Sequence, residues 1–123
     1  MIKTTKKHFK LFKSEVIRLV NLFGLTDWKI SFEHKDLEDD YVRLSWDYSG
    51  SVACFFFNTN WDREEAVPLT NEAIKKIALH EVCHLLVAPI TSLGEARFVN
   101  EGEITDENER LARQLTNILV SEI

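Results

Sequence analysis

Apolar residues follow two different spacings along the chain, and the change between them separates helices from strands. From Phe9 to Phe23 they recur every three or four positions, which predicts a first helix that ends at Gly24. The following segments alternate apolar with polar residues, or are apolar on both faces, and predict three strands: WKISFEH, YVRLSWDY and SVACFFFN. The intervening DYSGS predicts a hairpin turn around Gly50.

Helical spacing returns after the strands in two further segments. Thr70 suits the N-cap of a helix with Glu72 in its first turn, and this helix is expected to run until Pro89. Thr105 suits the N-cap of a final helix. The apolar stripe of that last helix has five members: Leu111, Ala112, Leu115, Ile118 and Leu119. We therefore expect one α+β domain over residues 1–123, with an N-terminal helix, a three-stranded and mostly antiparallel sheet, and two C-terminal helices.

Composition and charge are those of a folded, soluble domain. Hydrophobic residues make up 45% and charged residues 28% of the 123 positions, which excludes a disordered chain. The formal net charge is -5 and the basic residues cluster near the N-terminus, so no nucleic-acid partner is expected. No apolar stretch approaches the roughly 20 residues of a membrane span and no secretory leader is recognisable, so we expect a cytoplasmic protein without a membrane partner. Cys54 and Cys83 are expected to remain unpaired.

The segment HEVCH places two histidines and a glutamate in an apolar helix. Residues four apart lie one turn above each other, so the rings of His80 and His84 point to the same side and both reach one metal ion. Glu81 faces about 100° around the helix axis, near the ion but not on it. Two imidazoles that hold Zn²⁺ beside a carboxylate that accepts a proton from water form the arrangement of hydrolytic zinc sites.

The neighbours of the two histidines predict an apolar environment for both rings. Ile77, Val82 and Leu85 are residues of a core helix rather than of a solvated one. Buried imidazoles need hydrogen-bond partners and disfavour each other's protonation, and one metal ion satisfies both. Loss of His84 is therefore expected to remove the metal and part of the fold. The alternative is a pair of structural histidines that bind no metal.

HEVCH resembles the HExxH signature of zincin metallopeptidases, which implies a minimal zincin-like domain whose zinc has three protein ligands and a water. In the gluzincin branch the third ligand is a glutamate on a later helix, often within the pattern Asn-Glu-x-x-small residue. NERLA at residues 108–112 matches that pattern, and the resemblance implies that Glu109 is the third ligand, with 24 residues between it and His84. The elements ahead of the motif are also similar to those of small metallopeptidases from phage and prophage genomes.

Several other carboxylates remain open as the third ligand. Glu107 lies at the opposite margin of the apolar arc of the last helix from Glu109, and Asp106 is a further candidate. Three more lie between the two helices: Glu95, Glu101 and Glu103. No histidine follows the motif, so the third histidine of the metzincin branch is absent. His8 and His34 are expected to be surface or core residues rather than ligands.

The resemblance implies a zinc-dependent peptidase that acts on a peptide or protein substrate. Zinc on His80, His84 and Glu109 would activate water and polarise the peptide carbonyl, and Glu81 would pass the proton of the water to the leaving amine. An exposed strand edge beside the motif helix would align an extended substrate through main-chain hydrogen bonds. The competing hypothesis keeps the metal without the reaction: a small zinc-stabilised binding module, such as a phage factor that contacts a host protein.

Overall fold

The computed structural model describes residues 2–61, 68–95 and 100–122. The elements follow the predicted order: α1 (Lys6–Leu22), β1 (Lys29–Lys35), β2 (Val42–Asp47), β3 (Val52–Asn58), α2 (Asn71–Glu95) and α3 (Glu101–Glu122). The α+β class, with one helix before the sheet and two after it, is confirmed.

The central strand of the sheet is β3, with β1 on one side and β2 on the other. The β2–β3 pair is the expected antiparallel hairpin, but β1 runs parallel to β3, so the sheet is mixed and not mostly antiparallel. The burial of β3 explains the difference. Its residues Ala53, Phe55 and Phe57 are fully buried, and a strand so apolar is stabilised by neighbours on both edges. β3 therefore lies between β1 and β2, which run in opposite directions.

Asn58, at the end of β3, holds the connection that crosses from β1 to β2. Its side chain is completely buried, and its Oδ1 accepts hydrogen bonds from the main-chain N–H groups of Leu37 at 3.2 Å and Asn60 at 2.9 Å. Its Nδ2 donates to the main-chain oxygen of Asp40 at 2.6 Å. One amide thus satisfies main-chain groups on both sides of the crossing, and it fixes the residue from which β2 starts.

One face of the sheet carries the core, and both α1 and α2 pack on that face. Phe12 of α1 contacts Phe55 and Phe57, with ring centroids 6.4 and 5.0 Å apart. From α2, four residues at helical spacing are fully buried in the same cluster: Ile74, Ala78, Val82 and Leu85. On the opposite face, Phe56 is only half-buried beneath the ammonium group of Lys35. α2 contacts β2, an edge strand of the sheet.

The start of α2 agrees with the sequence, but its end does not. Thr70 Oγ1 accepts a hydrogen bond from the N–H of Ala73 at 3.1 Å, which confirms the predicted N-cap. The helix continues through Pro89 to Glu95 instead of ending there. Proline costs the helix one hydrogen bond, but Pro89 is fully buried, so its ring contributes to the core and packing outweighs the local preference. By length and composition, α2 is apolar enough to cross a membrane, a test that the core helix of a soluble protein also passes.

α3 begins five residues before the position that the sequence predicts. Asn100 caps it: its Oδ1 accepts from the N–H of Glu103 at 2.9 Å, and its Nδ2 donates to the carboxylate of the same glutamate at 2.9 Å. Thr105, the predicted cap, lies within the helix. Both residue types cap helices well, and the reciprocal side-chain bond with Glu103 favours the earlier start.

His34 is part of the core margin rather than a ligand. Its ring stacks on Phe9 with centroids 4.9 Å apart, and its Nε2 lies 2.7 Å from the hydroxyl oxygen of Thr4. The Thr4 hydroxyl donates its single proton to the main-chain oxygen of Asn58, so Nε2 of His34 carries the hydrogen of the shared bond. Burial lowers the pKa of His34 below its ordinary value, and the nearby His8 lowers it further.

Substitution of Asn58 by alanine tests whether its side chain holds the connection between β1 and β2. The change leaves main-chain groups of Leu37, Asp40 and Asn60 without their partner, so we expect the free energy of unfolding to fall by about 2–4 kcal/mol. Urea denaturation measures this loss. Asn108→Ala, an exposed asparagine on α3, is the control and is expected to change stability by less than about 0.5 kcal/mol. Equal effects of the two substitutions would contradict the role of Asn58.

Substitution of His34 by phenylalanine tests its depressed pKa. As pH falls through about 6.5, the unfolded chain binds a proton at this residue that the folded chain does not bind. The stability of the parent protein is therefore complete above this pH and decreases below it, until the folded-state pKa is also passed. The difference in unfolding free energy between parent and His34→Phe should change between pH 7.5 and pH 5.5, with the parent losing more. A difference independent of pH would contradict the assignment.

Candidate functional site

The rings of His80 and His84 converge at their Nε2 atoms on one side of α2. The two nitrogens are 3.1 Å apart, and the ring planes are nearly perpendicular, at 86°. Tetrahedral zinc with Zn–N bonds of about 2.0–2.1 Å holds two imidazole nitrogens about 3.3–3.4 Å apart. A movement of a few tenths of an ångström therefore suffices for both rings to bind one ion. At the same spacing one neutral ring can donate its N–H to the other, so the pair is stable without metal as well.

Both histidines are exposed, so the apolar environment expected from the sequence is wrong. α2 is apolar around much of its circumference, but the sheet and α1 cover only the side that carries Ala78 and Val82. At about 100° per residue, the histidines point well away from this side. Their convergence, and not a cost of burial, is what supports a metal site.

Glu81 lies between the histidines and the sheet. It is half-buried, and with Asp40 and Val42 it lines two cavities that open between α2 and β2. Burial raises the pKa of its carboxyl, His84 and His80 lower it, and Asp40 raises it further. A carboxylate that is partly shielded from water and one residue from an imidazole pair is placed as a general base would be.

β2, an edge strand of the sheet, lines the same opening. β2 pairs with β3 alone, so in the described sheet one row of its main-chain N–H and C=O groups has no strand partner. A cavity of about 490 Å³ lies beside His80 and Glu81, and one of about 290 Å³ lies beside Glu81 and His84. Both are bounded by the first residues of β2. The strand beside the motif helix is therefore β2, an edge strand, and the alignment of a substrate on it stays a prediction.

The polar contacts described for Glu107 and Arg110 of α3 are with residues near the sheet turns and not with the histidines. Glu107 accepts a hydrogen bond from the hydroxyl of Tyr48 at 2.8 Å and forms an ion pair with Arg110 at 3.5 Å. Arg110 also pairs with Asp27 at 2.9 Å, before β1. Burial and the Glu107 carboxylate raise the pKa of Tyr48. These polar contacts attach α3 to the turns at one end of the sheet.

Glu109 is exposed on α3. Within the ranges that the structure describes, no three side chains of histidine, cysteine, aspartate or glutamate lie close enough to hold one ion. The structure therefore brings His80 and His84 together but does not add Glu109, Glu107 or Asp106 to them. The same holds for the carboxylates of the connecting segment: Glu95, Glu101 and Glu103. The third ligand stays a prediction.

Asp40 is a site residue that the sequence did not indicate. It lines both cavities beside Glu81, and its carboxylate forms an ion pair with Arg43 at 2.9 Å. The position of Asp40 depends on the connection between β1 and β2, which the side chain of Asn58 holds. The only sequence signal is the acidic segment KDLEDD before β2, and the composition of a loop does not reveal which of its carboxylates faces a helix.

Comparison of the chain with protein-family models, with curated proteins and with solved structures returns no match. The function must therefore be inferred from the site itself.

Substitution of His84 by alanine tests the histidine pair. Because the ring is exposed, we expect the unfolding free energy in the presence of a chelator to change by less than about 1 kcal/mol. Added zinc should raise the melting temperature of the parent protein and leave that of the variant almost unchanged. His8→Ala, which removes a histidine remote from the pair, should keep the zinc-dependent increase. An equal increase in the His84 variant would refute metal binding by the pair.

Proposed function

We propose that the chain is a zinc-dependent metallopeptidase that hydrolyses peptide bonds. The observation that carries the proposal is the convergence of His80 and His84 beside Glu81, at an opening bounded by an unpaired strand edge. Each part has a role in hydrolysis: two metal ligands, a general base, and main-chain groups that bind an extended peptide.

His80 and His84 would hold the ion through their Nε2 atoms. When bound, zinc supplies a Lewis acid that polarises the substrate carbonyl and favours ionisation of water near neutral pH. Glu81 accepts a proton from the attacking water and delivers it to the departing amine nitrogen. The edge of β2 holds the substrate backbone across the opening, so that the scissile carbonyl lies next to the histidines.

We propose Glu109 as the third protein ligand, as the likeness to the gluzincin pattern implies. Glu107 is the less suitable of the two, because its carboxylate already binds Tyr48 and Arg110, and ligation would break these contacts. The exposed carboxylate of Glu109 has no such cost in the described contacts.

A non-catalytic, zinc-stabilised binding module is the second candidate. It keeps the metal on the converging rings of His80 and His84 without the reaction, and a closed structural site would need two further protein ligands beside the pair. Glu81 favours the enzyme, since a purely structural pair of histidines has no need of a half-buried carboxylate beside it. Either function fits a small α+β domain. We propose that the protein is cytoplasmic.

Substitution of Glu81 by glutamine separates the two candidates. The change removes the base and leaves the histidines, so zinc content should match that of the parent protein. We expect hydrolysis of a peptide library to fall at least about 100-fold. Mass spectrometry of the products measures cleavage, and elemental analysis measures zinc. Undiminished cleavage by the variant would show that Glu81 is not the base.

The third ligand is tested by Glu109→Ala with Glu107→Ala as its matched partner. We expect the first to weaken zinc binding by about 10-fold or more, measured by competition with a chromogenic chelator. The second should keep zinc affinity but lower stability, because it releases the α3 contacts with Tyr48 and Arg110. The reverse result would assign the ligand to Glu107.

A further inference from the structure

The exposed side of α1 is positively charged. Residues 1–20 contain six basic residues and one glutamate, in a chain whose formal net charge is -5. In Lys6–Leu22, which the structure describes throughout, the one carboxylate is that of Glu15, which is only 12% exposed and pairs with Arg18 at 2.7 Å. The other charged residues of the helix are four exposed lysines, which we call the basic arc: Lys6, Lys7, Lys10 and Lys13.

The basic arc points away from the core. At about 100° per residue, its centre lies about 120° around the helix axis from the buried side, which carries Phe12 and Val16. One flank of the arc borders β1, since the ammonium nitrogen of Lys13 lies 5.5 Å from the centre of the Phe32 ring. The arc is therefore a solvent-facing surface at the β1 edge of the molecule.

The candidate site lies beyond the other flank of α1. On that flank, the hydrogen bond from Arg18 lowers the pKa of Glu15, burial raises it, and the charges of Arg18 and of Lys75 on α2 lower it further. The opening with the histidines is bounded by α2 and β2, whereas α1 packs over β1 at the opposite edge of the sheet. A partner bound to the basic arc would therefore leave the opening free.

An isoleucine continues one row of the basic arc. Lys6, Lys10, Lys13 and Ile17 follow one another at intervals of four, three and four residues, so they form one stripe about 17 Å long. Ile17 is 45% exposed. Lysines beside an exposed apolar residue suit a lipid bilayer, where the cations meet anionic headgroups and the apolar side chain enters the acyl boundary. The phosphates of a nucleic acid offer no such place to an isoleucine.

From the charge of α1, its direction and the exposed isoleucine, we propose that the basic arc and Ile17 bind the surface of an anionic lipid bilayer. Each lysine close to such a surface strengthens attachment about five-fold. The rest of the chain is net acidic and is repelled, so contact is confined to the α1 side. Peripheral attachment needs no spanning segment, so the expectation of no membrane partner, which rested on the lack of a span, does not apply to it. Attachment does not depend on hydrolysis.

Charge is tested by sedimentation of the full chain with vesicles at about 0.1 M salt. Vesicles of phosphatidylcholine with about 30% phosphatidylserine should bind at least about 10-fold tighter than phosphatidylcholine alone, and about 0.5 M salt should abolish the difference. Lys6→Gln with Lys10→Gln should weaken binding to the anionic vesicles about 10-fold or more.

The matched control is Lys29→Gln with Lys75→Gln, an equal change of charge at exposed lysines outside the basic arc. It should alter binding less than about two-fold, and circular dichroism checks that both double variants are folded. Equal binding to the two kinds of vesicle, or equal losses in the two double variants, would overturn the inference and make the lysines an ordinary solvated surface.

Substitution of Ile17 by glutamine separates a bilayer from a nucleic acid as the partner. We expect it to weaken binding to the anionic vesicles about three-fold or more, because an apolar side chain is lost from the acyl boundary. Ile104→Gln, at an equally exposed isoleucine on α3, is the control and should have no effect. Unchanged vesicle binding by the Ile17 variant would overturn the inference, since charge alone does not single out a bilayer. A fluorescent DNA duplex that binds more tightly than the anionic vesicles at equal salt, with no effect of Ile17→Gln, would overturn it in favour of a nucleic acid.

Discussion

The burial of β3 between two other strands is the constraint on which the candidate site depends. Because Phe55 and Phe57 are completely buried, β3 occupies the centre of the sheet, and β2 is left with one neighbour. α2 lies against β2, and the space between them forms a groove. A sheet in which β1 and β2 were neighbours would place a different strand beside the histidines, so the order of the strands decides which backbone the site presents.

The local features of the fold could be predicted because they depend on neighbouring residues. The end of α1 at Gly24, which has a φ of 70°, and the cap of α2 at Thr70 are examples. The parallel direction of β1 could not be predicted, since the hydrophobic pattern of a strand is the same for either direction. Pro89 shows the opposite case. A proline predicts the end of a helix, but α2 continues because the ring of Pro89 is buried in the core.

The candidate site likewise has features that the sequence could predict and features that it could not. The spacing of His80 and His84 fixes their convergence, since both lie on one helix, and the structure brings their nitrogens to 3.1 Å. Their exposure could not be predicted, because α2 is apolar on almost every side and its sequence does not show which side is covered. The position of Glu109 depends on how α3 docks, and that docking includes the contacts of Glu107 with Tyr48 and Arg110 and the packing of Leu111 against the core. These contacts bridge residues far apart in the chain.

The amide of Asn58 has a consequence for recognition. It joins the crossing segment to the core, and the same segment forms one end of the groove through Asp40. Widening of the groove at this end would break the hydrogen bonds of Asn58 with Leu37 and Asp40. Because these bonds hold this end of the cleft before any ligand arrives, association would require less ordering of the protein there, and more of the entropic loss would fall on the ligand.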